Sequence, residues 1–182
     1  MKSIGQYAPD FGVVKADSTF KEDYNFKVFS LPSILLSTNE LEIRLSTVRF
    51  PKRNYDLIIL SYHNGKWDAK KYTSIHYGGN SSKLTTTSFE IPGEEESLYN
   101  FHYKRVYDSL KANNIFQICY PAQSRLVEST GNDGTGYAVT YKVGNRFRNF
   151  GFSNPDTHDK MNPEVKEFKQ YLNIVRWLNS LF

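Results

Sequence analysis

Hydrophobic and polar positions alternate with period two over several stretches of this chain and recur at helical spacing over two others. Leu41, Ile43 and Leu45 alternate with Glu42 and Arg44, which predicts a strand with the apolar side buried and Glu42 and Arg44 facing out. Residues 55–63 and 66–77 flank Asn64-Gly65, a pair suited to the positive φ of a two-residue type I′ turn. Counting outward from that turn sets His63 against Lys66, Tyr62 against Trp67 and Leu60 against Ala69. Ile58, Leu60, Tyr62, Trp67 and Ala69 then share an inner face, while Ser61, His63, Lys66, Asp68 and Lys70 share an outer one. A second hairpin is predicted from residues 137–143 and 146–152 around Gly144-Asn145. Its register joins Val143 to Arg146, Tyr141 to Arg148, Val139 to Phe150 and Tyr137 to Phe152. Tyr137, Val139, Phe150 and Phe152 are expected in the core. Arg148 is expected over the Tyr141 ring, worth about 0.5–1 kcal/mol at an exposed site.

Shorter signals fill the remainder. Residues 24–28 alternate and read as a strand. Ser33 to Leu36, after Pro32, reads as an edge strand or a short helical turn. The Thr-rich stretch 83–91 reads as a strand. Glu94, Glu95 and Glu96 open a helix to about residue 113, their carboxylates complementing its positive end, with Asn113-Asn114 as the stop. Ile115 to Tyr120 is a strand or a buried connector. Residues 153–159 read as a loop. Asn162-Pro163-Glu164 reads as the start of a closing helix, 163–181, whose stripe of Val165, Phe168, Leu172, Val175 and Leu178 packs on a sheet. The fold class is therefore α+β: an antiparallel sheet of about five to seven strands with helices 95–113 and 163–181 on one face. Residues 1–23 are an irregular N-terminal arm and 24–182 a single domain.

Composition sharpens this picture in one respect. Tyr 13, Phe 13 and Trp 2 make 15% of 182 residues aromatic, which favours sheet and large buried rings. The charge of +4 lies wholly in the second half, since residues 1–96 carry 12 basic and 12 acidic side chains. No basic run exceeds two residues, so the basic stripe of a nucleic-acid binder is missing. One cysteine, Cys119, allows no internal disulfide, in keeping with a reducing cytoplasm. The first residues hold no apolar signal core, and no stretch is long and apolar enough for a membrane span. A cytoplasmic location is expected, with a periplasmic or exported one as the alternative if a leader has been removed.

Candidate chemistry is sparse. Cys119 with one of His63, His76, His102 or His158 would make a thiol nucleophile, but Ile118 and Tyr120 beside it predict a buried, inert thiol. Asp156, His158 and Asp159 resemble a fragment of a metal site without a second ligand cluster. Gly131, Gly134 and Gly136 precede a strand, whereas a phosphate loop needs a helix N-terminus. Adjacent Glu94, Glu95 and Glu96 splay apart on a helix. No catalytic residue, cofactor or metal is therefore assigned. Lys66, Asp68 and Lys70 on the first hairpin, with Tyr141, Lys142, Arg146 and Arg148 on the second, compose a candidate protein-recognition surface, because Tyr and Arg are enriched at interface hot spots.

Glu42-Ile-Arg, the Trp-bearing hairpin, Leu110-x-x-x-x-Ile115, Asp133-Gly134-x-x-Tyr137 and Asn154-Pro155 before a closing helix resemble small uncharacterised bacterial α+β proteins, some of them lipoproteins. The resemblance spans about residues 40–182 and implies a fold but no activity. The expected function is non-catalytic binding of another protein, in concrete form a bacterial immunity-type inhibitor of a toxin. A small hydrolase using Cys119 or the His158 loop, and an exported periplasmic or surface domain, are the alternatives.

Overall fold

The computed structural model describes residues 12, 14–16, 29–50, 54–77, 81–88, 96–118 and 134–182. Among the described residues, six strands form one antiparallel sheet: β1 (Leu41–Arg49), β2 (Asn54–His63), β3 (Lys66–Tyr77), β4 (Ser81–Ser88), β5 (Thr135–Val143) and β6 (Arg146–Ser153). Their spatial order is β4-β3-β2-β1-β5-β6, with every pairing antiparallel. The described residues also form three α-helices: α1 (Glu96–Ala112), α2 (Pro155–Met161) and α3 (Lys166–Asn179). The class is α+β. The candidate strand at 24–28, the carboxylates of Glu94 and Glu95, and Cys119 lie outside the described residues.

Both hairpins follow the counted registers. In the first turn Asn64 has φ 49° and Gly65 φ 82°, the double positive-φ arrangement that matches strand twist and that Asn-Gly tolerates best. Leu41, Ile43, Leu45, Ile58, Leu60, Tyr62, Trp67 and Ala69 line one face together with Val139, Tyr141, Val143 and Phe152. Helices α1 and α3 cover that face with Tyr103, Val106, Tyr107 and Leu110, and with Phe168, Tyr171, Ile174, Val175 and Leu178. The aromatic surplus is spent here. Ring contacts run from Tyr62 to Trp67, Tyr107, Phe116, Tyr141, Phe150 and Tyr171 at centroid spacings of 5.0–6.3 Å. Each is within the range of favourable aromatic pairing.

Several local expectations are corrected. Residues 153–159 are not a loop, because α2 occupies 155–161 with Pro155 at its start and Asn154 as its cap residue. The Asn-Pro signature that begins a helix is therefore 154–155. Asn162 closes α2, and the last helix starts at Lys166 after a turn. The side chain of Asn154 does not cap α2 but accepts the N–H of Thr135 at 2.8 Å, tying the helix start to β5. Of the two readings of residues 33–36, the helical one holds: Ile34–Leu36 is a single 3-10 turn, with the Ser33 hydroxyl accepting the N–H of Leu35. Residues 115–118 are a connector that buries Ile115, Phe116 and Ile118 and leaves Gln117 exposed, and Asn114 follows α1 at φ 59°.

The largest correction concerns β1. It is a central strand, paired on both sides, and it is buried on both faces over residues 41–47. Glu42 and Arg44 are each only 4% exposed. Residues 29–39 run across the second face as a strap. Phe29 and Leu31 of the strap form a small apolar cluster with Leu57, Tyr55, Ile59 and Tyr72 of the sheet. Alternation located the strand correctly, but it assigned the polar side to water because the strap is a non-local cover.

Candidate functional site

The registers bring two polar regions together. The first is sealed. Glu42 on β1 stands beside Ser61 on β2 and Lys142 on β5. Its carboxylate accepts from Arg44 Nε at 2.6 Å, from the Ser37 hydroxyl at 2.5 Å and from Asn39 Nδ2 at 2.8 Å. Arg44 Nη2 also donates to the Pro32 carbonyl at 3.0 Å. Lys142 Nζ donates to the Ser37 carbonyl and, at 2.9 Å, to that of Asn39. Two cations and one anion are thus withdrawn from water on one face. The strap supplies carbonyl oxygens to the surplus positive charge, which burial alone would penalise heavily. The enclosed carboxylate fastens the strap to the sheet.

The second region is open. In an antiparallel sheet with this order, the two hairpin turns and the start of β1 lie at one end. Glu40 joins them. Its N–H donates to the Tyr62 carbonyl at 3.0 Å, its carbonyl accepts from Gly144 N at 2.9 Å, and its carboxylate accepts from Asn64 N at 3.0 Å. The turns at 64–65 and 144–145 are therefore held relative to one another by one residue. His63, Asn64, Lys66, Asn145 and Arg146 are exposed there. Asp68 and Lys70 lie along the adjoining strand and pair at 3.2 Å, an exposed contact. Asp68 raises the affinity of Lys70 for its proton, partly offset by burial of the amine.

Seven residues were expected to make one recognition surface, and they divide. Lys66, Asp68, Lys70 and Arg146 occupy the open end or border it. Tyr141 and Lys142 are buried, at 0% and 8% exposure, and present nothing to a partner. Tyr141 turns into the helix-covered core, where its hydroxyl lies 2.9 Å from the Lys15 carbonyl and 3.1 Å from that of Phe116. Arg148 is half-buried with its guanidinium over Phe150, 5.2 Å from the ring centroid. Arg146 reaches back to the Val14 carbonyl at 3.2 Å, and Val14 itself packs in the main core.

The reactive candidates are dispersed. His158 is half-buried on α2 and stacks on Phe168 at 5.3 Å with an interplanar angle of 24°. Because α2 is helical, Asp156 and His158 point to opposite sides of it. Among the described residues, no three His, Cys, Asp or Glu side chains gather as a metal site would require. The same residues include no helix long and apolar enough to cross a membrane. Sequence reasoning missed Glu42, Arg44, Glu40, Ser37 and Asn39. The available signal was the pairing of opposite charges at Glu42 and Arg44 in an otherwise apolar strand that follows Pro32. No protein-family model matches the chain, and no curated protein matches it in sequence.

Proposed function

We propose that this chain is a non-catalytic protein-binding module, in concrete form an immunity-type inhibitor that occludes a toxin protein. The observation that carries the reading is the fastening of two hairpin turns by Glu40 at one end of the sheet. Fixed backbone supports binding because little conformational freedom remains to be lost on association. The surface mixes charge and hydrogen-bonding groups, with Arg146 and Lys66 as exposed cations and His63, Asn64 and Asn145 beside them. Such groups steer encounter and select partners more than they add raw affinity.

The experiment has a functional readout. The chain is co-produced with the product of a neighbouring toxin gene, and cell survival and co-purification are measured. Lys66→Glu/Arg146→Glu should abolish both while the isolated chain stays folded by circular dichroism, its melting lowered only by loss of the Arg146–Val14 contact. Undiminished protection by the double variant would refute this surface. Hydrolytic activity lost in Cys119→Ala or His158→Ala would replace the reading with an enzymatic one.

A further inference from the structure

A specific protein interface has an apolar centre that sheds its water, ringed by polar groups. The fastened end of the sheet supplies a polar ring: His63, Asn64, Lys66, Asn145 and Arg146. Among the described residues, four large apolar side chains are exposed: Leu35 at 51%, Leu36 at 75%, Phe50 at 45% and Met161 at 61%. Phe50 follows the last residue of β1, at the end of the sheet away from the hairpin turns, and Met161 is the last residue of α2. Apolar side chains scattered in this way need no explanation. Leu35 and Leu36 differ, because they are adjacent on one turn of the strap, and Leu36 is four residues before Glu40. That turn is locked. Ile34 roots it at 0% exposure. The Ser33 hydroxyl accepts the N–H of Leu35 at 3.2 Å, the N–H of Leu36 donates to the Ser33 carbonyl at 3.0 Å, and the N–H of Ser37 donates to the Ile34 carbonyl at 3.2 Å. Beyond it, the side chains of Ser37 and Asn39 bind Glu42, and their carbonyls bind Lys142, two residues from Gly144.

We infer that Leu35 and Leu36 are the apolar anchor of the binding surface, and that they seat in an apolar depression bordered by carboxylates on the partner protein. The inference rests on the hairpin-end reading and extends it onto the strap. Continuity supports it. The strap, Glu40 and both turns form one hydrogen-bonded unit, so the leucines keep a fixed position relative to Lys66 and Arg146. Two leucines on a locked turn lose little conformational freedom when they are covered, so most of the gain from removing them from water reaches the affinity. Charge selects the occupant. Lys66 and Arg146 are the exposed cations of the fastened end, which favours carboxylates around the depression. A bilayer fits less well, because surface attachment to lipid scales with buried apolar area and two side chains offer little of it.

Isothermal titration of the full chain with the purified product of the neighbouring toxin gene tests this. Leu36→Ala should weaken binding by about tenfold to thirtyfold, and Leu35→Ala/Leu36→Ala by about a hundredfold. The heat-capacity change of binding should become less negative in the double variant, the mark of lost apolar burial. Leu36→Met should bind nearly as the wild type does, and far-ultraviolet circular dichroism should show each variant folded. Lys66→Glu/Arg146→Glu, titrated alongside, separates the two readings. If that variant loses the toxin while Leu35→Ala/Leu36→Ala binds like the wild type, the anchor is overturned and the hairpin-end reading stands. If only the leucine variant loses the toxin, the anchor stands and the hairpin-end reading falls. A wild-type chain that does not bind overturns both. Attachment to phosphatidylserine vesicles, or a dimer in sedimentation, that disappears in Leu35→Ala/Leu36→Ala while toxin binding persists would assign the leucines to a membrane or a second copy and overturn this partner.

Discussion

Replacing Glu42 by Gln changes one oxygen to an amide nitrogen and almost nothing in shape, yet it should be among the most damaging substitutions in the chain. Glu42 is 4% exposed and receives three donors, from Arg44, Ser37 and Asn39. The amide has no charge to set against Arg44 and Lys142, and its own NH2 group faces donors where acceptors are needed. Removing one partner from a buried ionic cluster costs about 3–5 kcal/mol, because the remaining charges stay desolvated. Domains of this kind are stable by about 5–15 kcal/mol, so about a fifth of the margin or more is at stake. Equilibrium urea unfolding is the assay. At a slope of about 2 kcal/mol per molar, the midpoint should fall by roughly 2 M. The strap should loosen first, since Pro32, Ser37 and Asn39 contact the sheet through this cluster. Limited proteolysis should then cut within residues 32–39. A loss below about 1 kcal/mol, the level of an exposed pair, with a strap still resistant to protease, would refute the reasoning.

Other consequences are less elaborate. Lys104 and Asp108 pair at 2.7 Å on the exposed side of α1, and Lys104→Ala should cost no more than about 0.5 kcal/mol in the same urea experiment. Trp67→Ala removes the ring that joins Tyr62 to Tyr107 in the core and should cost about 3–5 kcal/mol by thermal or chemical unfolding. Burial pushes the Tyr171 phenol well above its ordinary value of 10.0, with the hydroxyl donating to the Tyr137 carbonyl at 2.8 Å. The unfolded chain releases that proton first, so the contribution is whole below pH 10 and is lost as pH rises beyond it. Stability measured against pH should fall on the alkaline side, and Tyr171→Phe should flatten that limb; an unchanged slope would contradict the assignment.

The parts of the fold legible in the sequence were those fixed by local rules. Asn64-Gly65 and Gly144-Asn145 set both hairpin registers, and the stripe from Val165 to Leu178 identified the helix that covers the sheet. Two kinds of information were not local. Alternation in Leu41 to Leu45 says that two faces differ, but only the strap's position decides that the charged face is also buried. Non-local cover likewise hid the burial of Lys142 beneath the strap and of Tyr141 beneath Lys15 and Phe116; both looked like hairpin-tip residues and lie instead beside β1. The early turn of helix at 155 was concealed by competition between two Asn-Pro pairs. Asn154 is the one held in the left-handed region, at φ 47°, with its side chain fixed on β5. At the open end of the sheet, Lys66 and Arg146 could be found from charge and turn position. Glu40, which ties the turns together, carried no distinguishing signal because its contacts are to backbone groups of distant segments.

On the proposed reading, the fastened end of the sheet is where a protein partner binds. Amide hydrogen exchange of the chain, alone and with the toxin protein proposed as its partner, provides the test. Protection should rise at residues 63–66 and 144–146 and along 68–70, with the helix-covered core unchanged. Protection confined to α1, α3 or β4, with the two turns exchanging as freely as in the isolated chain, would contradict the account.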